Sequence, residues 1–358
     1  MLPQVLAKDR FDEFVRFLMS DHRVAAPMAK GPQFAYELLH SPQDIQRIRM
    51  DFDITILPPK KYLLLAQECL LEFSGRDPSS ARALVKAPAT VLLGVHPYDL
   101  HAIATCDAFF GLAPSDPYYL ARRAATRLIG VNVQAPANDN QFQADMDTLE
   151  PPQGGFDLFM TDTDLGERYF VEVGGNEGAA MMKASGLFAP AGPADHKAKQ
   201  AYDRVKHGNF AKKLPYDTRY LPEMLNASYD SLLWEAIARR CFSCGTCTNV
   251  CPTCFCFDVQ DKLNIDAASG DRQRRWDSCQ LKVFAEVASG ENFREHRASR
   301  TRHRMFRKGK YVLERTGRTG CVGCGRCIYH CVANISILEA FLQIAGEAAE
   351  IQAAEPKR

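Results

Sequence analysis

Eleven of the chain's thirteen cysteines lie between Cys241 and Cys331, and only Cys69 and Cys106 precede them. This distribution divides the chain into an ordinary stretch with a core of its own and a cysteine-dense module. Clustered thiols in a module this polar point to metal ligation standing in for core burial. At 358 residues the length allows two or three domains. With 46% hydrophobic and 24% charged residues the chain is globular, which excludes disordered, collagen-like and low-complexity classes. Lys plus Arg is 44 against 43 for Asp plus Glu, so the net charge of +1 makes no global case for nucleic acid or acidic membranes.

The amino-terminal MLPQVLAKDRFDEFVRFLMS is charged at Lys8, Asp9, Arg10, Asp12 and Glu13, which argues against a secretory signal. No apolar run approaches the roughly 20 residues that span a bilayer. The longest candidate, Tyr62 to Phe73, is broken by Gln67, Glu68 and Glu72 and reads as an amphipathic helix. The expectation is a cytoplasmic chain, in which thiols stay free. An odd number of cysteines also fits poorly with complete pairing.

Short apolar runs at Ala89–Val95, Arg127–Val133, Phe156–Met160 and Tyr169–Val173 have strand length. They alternate with helical stretches at Phe11–Met19, Asp99–Phe110 and beyond Gly175. Thr55–Pro59 is a short extended segment stopped by prolines. Residues 1–225 therefore read as an α/β domain, a scaffold or docking platform. Ala135–Gln143 is a surface loop by composition, and Asp195–Pro222 is polar and basic, with a connector at its end. A helix over Met224–Arg240 leads into residues 226–345, and residues 346–358 close the chain as a polar tail. Between the cysteine groups, Gln280–Ser289 and Arg294–Phe306 look helical. The module is accordingly expected to be an α-helical ferredoxin-like dicluster unit.

Cys241-Phe-Ser-Cys244-Gly-Thr-Cys247-Thr-Asn-Val-Cys251-Pro252 is C-x2-C-x2-C-x3-C-P, and Cys321, Cys324, Cys327 and Cys331 repeat it with Val332 in place of proline. This spacing is the bacterial [4Fe–4S] signature, in which the fourth cysteine ligates the other cluster. Two cubanes are expected. The first would use Cys241, Cys244, Cys247 and Cys331, and the second Cys321, Cys324, Cys327 and Cys251. Gly245 and Gly325 let the backbone wrap closely around each cluster. Zinc would want four ligands in two pairs, whereas two tandem quartets are present.

Cys254, Cys256 and Cys279 are left over in the module. They read as small apolar core residues near Phe255, Phe257 and Trp276, with a third metal site as the alternative. Cys69 and Cys106 read as core residues on helices. Arg294–Lys310 carries eight Lys or Arg and two His. A solvated face, or a surface beside anionic clusters, explains it better than nucleic-acid binding, for which aromatic platforms are scarce. Arg326 and Lys282 are candidates for tuning the cluster potentials. His96, Asp99 and His101 follow a strand end, where ligands often sit, but turn and capping roles explain them equally. Gly174–Gly178 is not a dinucleotide fingerprint, and no phosphate loop, zincin motif or nucleophile elbow is present.

The motifs CFSCGTCTNVCPTCFCFD (241–258), RWDSCQ (275–280), RHRMFRKGKY (302–311) and GCVGCGRC (320–327), with ILPPKK (56–61), GVHPYDL (94–100) and DPYYLARR (116–123), resemble a known family. It is the iron–sulfur beta subunit of cytosolic NiFe sulfhydrogenases, to which the A subunit of anaerobic sulfite reductase is similar. The resemblance implies an electron relay between a flavoprotein subunit handling NAD(P)H and a subunit holding the catalytic metal. It also implies that this chain binds no substrate itself. Many members carry further cysteines in the first half. At the matching positions this chain has Tyr98, Val133, Gln141 and Gln143, so no third cluster is expected there. Two rival readings remain: a self-contained flavin and iron–sulfur oxidoreductase, and a redox-sensing module. Flavin in the purified chain would favour the first, and salt-dependent DNA binding the second.

Overall fold

A computed structural model of the chain describes residues 2–75, 78–163, 167–265 and 268–354. The first half is built on an eight-stranded mixed sheet. Its strands are β1 (Gln4–Ala7), β2 (Arg23–Lys30) and β3 (Gln33–Leu38), then, after β4 (Gln67–Ser74) and β5 (Arg82–Ala83) of a second sheet, β6 (Thr90–Val95), β7 (Thr126–Val131), β8 (Leu158–Asp162), β9 (Arg168–Val173) and β10 (Phe188–Pro190). The order is β10-β1-β9-β8-β7-β6-β2-β3, with β2, β6, β7 and β8 parallel at the centre and antiparallel strands towards both edges.

The central strands are apolar on both faces because both faces are covered. On one face, α1 (Phe11–Asp21) lays Phe14, Val15 and Leu18 on Val91, Leu93, Ile129 and Met160. On the other, α2 (Pro97–Phe110) and α3 (Pro117–Ala124) cover Leu92, Leu128 and Phe159. The four strands expected from apolar runs are present, as are the helices α1, α2 and α4 (Asn176–Ser185). The α/β reading of the first half is compatible with this mixed sheet.

Several local expectations are corrected. Tyr62–Phe73 is not a helix: a short 3-10 turn at Pro59–Tyr62 leads into β4, and Cys69 therefore sits on a strand. Long-range pairing decides this, because β4 aligns antiparallel with a strand 200 residues away and buries Glu68 between Arg122 and Arg274. The polar 195–222 stretch contains a long helix, α5 (Pro193–Asn209). The expected helix over Met224–Arg240 is two helices, α6 (Leu221–Ala227) and α7 (Leu233–Arg240), with Ser231 Oγ accepting from Leu233 N at 3.0 Å at the restart.

The second half is not purely helical. The short α8 (Thr246–Asn249) is followed by a hairpin, β11 (Phe257–Leu263) and β12 (Ser269–Trp276). The hairpin joins β4 and β5 in a four-stranded sheet, β11-β12-β4-β5. Of Gln280–Ser289 only Lys282–Ala285 forms a turn of 3-10 helix. Then come α9 (Arg297–Phe306), a π-helical turn (Arg307–Tyr311), α10 (Val312–Thr316), α11 (Arg326–Tyr329) and α12 (Ile337–Ala354). Of the expected polar tail, residues 346–354 continue α12 and residues 355–358 lie outside the described residues. Among the described residues no helix is long and apolar enough to cross a membrane.

Candidate metal centre

The two cysteine repeats fold into matching loops. In each, the glycine after the second cysteine caps a one-turn helix in the left-handed region, Gly245 at φ 81° before α8 and Gly325 at φ 74° before α11. A side chain there would collide: a Cβ on Gly325 would stand 2.9 Å from the backbone of Asn140, and one on Gly245 2.9 Å from Ser278 Cβ. Each one-turn helix carries the third cysteine of its repeat, Cys247 or Cys327, and stops before the fourth.

The eight thiols surround two cavities. One is lined by Cys241, Cys244, Cys247 and Cys331. The other is lined by Cys251, Cys321, Cys324 and Cys327. Each fourth cysteine thus faces the cavity of the opposite repeat. Among the described residues no three ligating side chains are placed to hold a single ion. The thiols ring a space instead, as a cubane requires. Backbone amides point at sulfur, with Ser243 N donating to Cys241 Sγ and Ile335 N to Cys331 Sγ, each at 3.3 Å. Burial pushes the Cys247 thiol up to about 11 and Cys321 up to about 12, and it also raises Cys324 and Cys327. Ligation at these four thiols must therefore displace protons.

Buried cations face these thiols. Arg304 lies in the walls of both cavities, is 5% exposed, and its Nε has no hydrogen-bond partner among the described residues. Burial opposes its charge, but Cys247 and Cys327 nearby outweigh that and raise it well above its ordinary value. Lys308, also buried, lines the second cavity and donates to Thr253 Oγ1 at 2.6 Å. The buried Lys60 reaches across from the first half to donate to the carbonyls of Cys251, at 2.6 Å, and Cys254. The basic stretch is thus amphipathic in an unusual sense: Arg300, Arg304 and Lys308, spaced by four, are all buried. The π-helical turn begins between Arg304 and Lys308.

Of the expected tuning residues, Arg326 lies close enough to Cys324 to pull its thiol down, whereas Lys282 is remote. Lys282 has a 68% exposed side chain and faces Glu295, and it lines neither cavity. Arg326 is fully buried, but its charge is matched by Asp99 in two bonds of 2.7 Å. Asp99 is therefore an anchor for the second loop. His96 stacks on Phe52 at 3.9 Å and bonds the Tyr98 hydroxyl at 2.6 Å, and His101 bonds the Glu150 carbonyl. Tyr98 packs against Val322 and Cys324, and Gln141 Nε2 donates to the Cys324 carbonyl at 3.4 Å. The segment at Phe142–Gln143 lies against Gly323. The loop at 135–143 is thus partly buried against the cysteine module, with Gln141, Phe142 and Gln143 all inside. Cys106 is a buried residue of α2, as expected. Sequence alone had no signal for Arg304, Lys308 or Lys60 beyond a basic run and a Pro-Pro-Lys-Lys turn.

Residues 240–335 match the family model of the 4Fe-4S dicluster domain. Across almost the whole chain the match is to the sulfhydrogenase 2 subunit beta of Pyrococcus furiosus, 30% identical over 331 residues, 92% of this chain and 94% of that protein. The chain belongs to the sulfhydrogenase beta-subunit family. No solved structure matches it. As a member of that family with a dicluster domain, it is an iron–sulfur electron-transfer protein carrying two [4Fe–4S] clusters.

Proposed function

We propose that this sulfhydrogenase-family chain is the wire of a hetero-oligomeric, cytoplasmic hydrogenase-type complex. It would take electrons from or deliver them to a flavoprotein subunit that handles NAD(P)H, and exchange them with a subunit holding the catalytic metal. Cys241, Cys244, Cys247 and Cys331 hold the first cluster, and Cys251, Cys321, Cys324 and Cys327 hold the second. When bound, each cubane supplies a one-electron couple at low cost in rearrangement. Residues 226–345 form the relay, and residues 1–225 form the platform on which it is mounted.

The observation that carries this reading is the pair of four-thiol cavities sharing Arg304 in their walls. Two redox centres on either side of one residue suit transfer from one to the other. Their surroundings differ. The first cavity reaches the surface at the exposed Cys244, beside Phe242 at 70% and Val332 at 78% exposure. The second is enclosed by the buried Cys321 and Cys324, the loop at Phe142 and the helix α12. The first site is the point of electron exchange with a partner.

The test is anaerobic reconstitution followed by mixing with candidate subunits. Intact protein should bind about eight irons. Cys331→Ser should remove the same spectroscopic signal as Cys244→Ser, and Cys251→Ser the same signal as Cys324→Ser. If Cys331→Ser instead matches Cys324→Ser, the crossed assignment fails. Co-purification with a flavin subunit and a metal subunit would support the relay, whereas stoichiometric flavin in this chain alone would replace it with a self-contained oxidoreductase.

A further inference from the structure

Cys256 and Cys279 belong to neither quartet, yet the fold brings them together. Cys256 immediately precedes β11, and Cys279 follows the end of β12 by three residues. Phe257 pairs with Trp276 in the hairpin. The ladder runs one step further, because Asp277 N donates to the Cys256 carbonyl at 3.0 Å. The base of the hairpin thus sets the two thiols side by side, where their side chains contact each other. Cys279 is 3% exposed and accepts from Gln280 Nε2 at 3.6 Å, while Cys256 is only half-buried.

The environment divides the roles of the pair. Contact with Cys279, and then the nearby Arg307 and Lys308, pull the Cys256 thiol below its ordinary value, against the effect of burial. The same contact and burial push Cys279 up. One sulfur is therefore the more exposed and the more acidic of the two, and the other is buried behind it. That is the arrangement of an attacking and a resolving cysteine.

We infer that Cys256 and Cys279 are a redox-active dithiol, converted reversibly to a disulfide by low-molecular-weight disulfides. The Cys256 thiolate attacks one sulfur of the oxidant RSSR, its S–S bond breaks, and RS⁻ leaves. Cys279 then gives up its proton and attacks Cys256 Sγ in the mixed disulfide, expelling a second RS⁻, which takes that proton. The balance is Cys256–S⁻ + Cys279–SH + RSSR giving the Cys256–Cys279 disulfide + RS⁻ + RSH. Two electrons pass from the pair to the oxidant. No iron is needed, and no cluster ligand takes part.

The experiment uses the full chain, anaerobic and loaded with iron, exposed to glutathione disulfide at neutral pH. After trapping of remaining thiols and digestion, the expected product is a Cys256–Cys279 linked peptide, two hydrogens lighter than the reduced pair. It should revert with dithiothreitol, and iron content should not change. Cys279→Ser should stop at a stable glutathione adduct on Cys256, and Cys256→Ser should form neither product. A wild-type chain in which both thiols stay reduced with the iron intact would overturn the proposal. So would a persistent adduct at Cys256 beside free Cys279, or a link from Cys256 to Cys254. The wild-type measurement decides even if a serine variant fails to fold.

Discussion

Arg326 and Asp99 form a bidentate ion pair with both side chains fully buried, each oxygen 2.7 Å from a guanidinium nitrogen. Arg326 also donates to the carbonyl and, at 3.1 Å, to the hydroxyl of Thr55. The pair ties the second cysteine loop to the first turn of α2, at the carboxyl end of β6. Burial pushes Asp99 up while Arg326 beside it pulls it down, and the guanidinium itself keeps its proton.

Removing one partner leaves the other charge buried and unmatched. Asp99→Ala should lower unfolding stability by about 3–5 kcal/mol. Replacing both residues by apolar side chains of similar volume should recover much of that loss. Denaturant unfolding of the two variants checks it, and equal losses in both would show that the ion pair is not the source.

Arg304 places one positive charge beside both cavities. Adding an electron makes a cluster more negative, so a nearby cation raises its potential. Arg304→Gln should move the midpoints of both clusters to more negative values, on the order of 50–100 mV for a charge several ångströms away at an effective dielectric near 20. Arg304→Lys should restore most of the shift. A redox titration monitored by paramagnetic resonance reads it. A change in only one midpoint would mean that the charge is screened from the other.

His96 is buried, and burial followed by the charge of Arg326 depresses it to about 3. In the unfolded chain it would take up a proton near pH 6.5. Between those values the unfolded state binds the extra proton, so stability is complete above about pH 6.5 and falls as the pH drops towards 3. The slope attributable to His96 reaches about 1.4 kcal/mol per pH unit. His96→Phe, which keeps an aromatic ring against Phe52, should show a shallower fall between pH 6.5 and 5 in thermal unfolding. An unchanged slope would assign the acid sensitivity to other groups.

Phe242 and Val332 are exposed apolar side chains on the rim of the first cavity. Changing both to Asp should leave iron content intact and slow electron exchange with a partner subunit at least about tenfold, the effect of losing roughly 1.4 kcal/mol of docking. Unchanged rates in stopped-flow mixing would move the exchange point elsewhere.

The site was legible to the extent that its chemistry is local. Each quartet spans eleven residues, so the spacing of Cys241 to Cys251 and of Cys321 to Cys331 already encodes the loop, the glycine and the one-turn helix. The strands β6 to β9 were readable for a similar reason, since each contains a short apolar run of three or more residues. The reading failed where a distant partner decides the outcome. Gln67–Ser74 carries two glutamates and no turn signal, and it becomes a strand because β12 pairs with it and two arginines neutralise Glu68. The basic run at 294–310 showed charge but not direction. Only the packing of α9 and of the π-helical turn after it shows that Arg304 and Lys308 point inward.

The four-stranded sheet has a practical consequence for how this relay can be handled. Its two halves come from distant parts of the chain, β4 and β5 from the first half and β11 and β12 from between the cysteine repeats. Lys60 and Asp99 add further stitches from the same side. A fragment starting near residue 226 would expose the edge of β12 and strand two buried arginines without their carboxylates. Excised and grafted as a cassette, this dicluster unit should lose stability, unlike a small ferredoxin. Its insulation from solvent is supplied by the rest of its own chain.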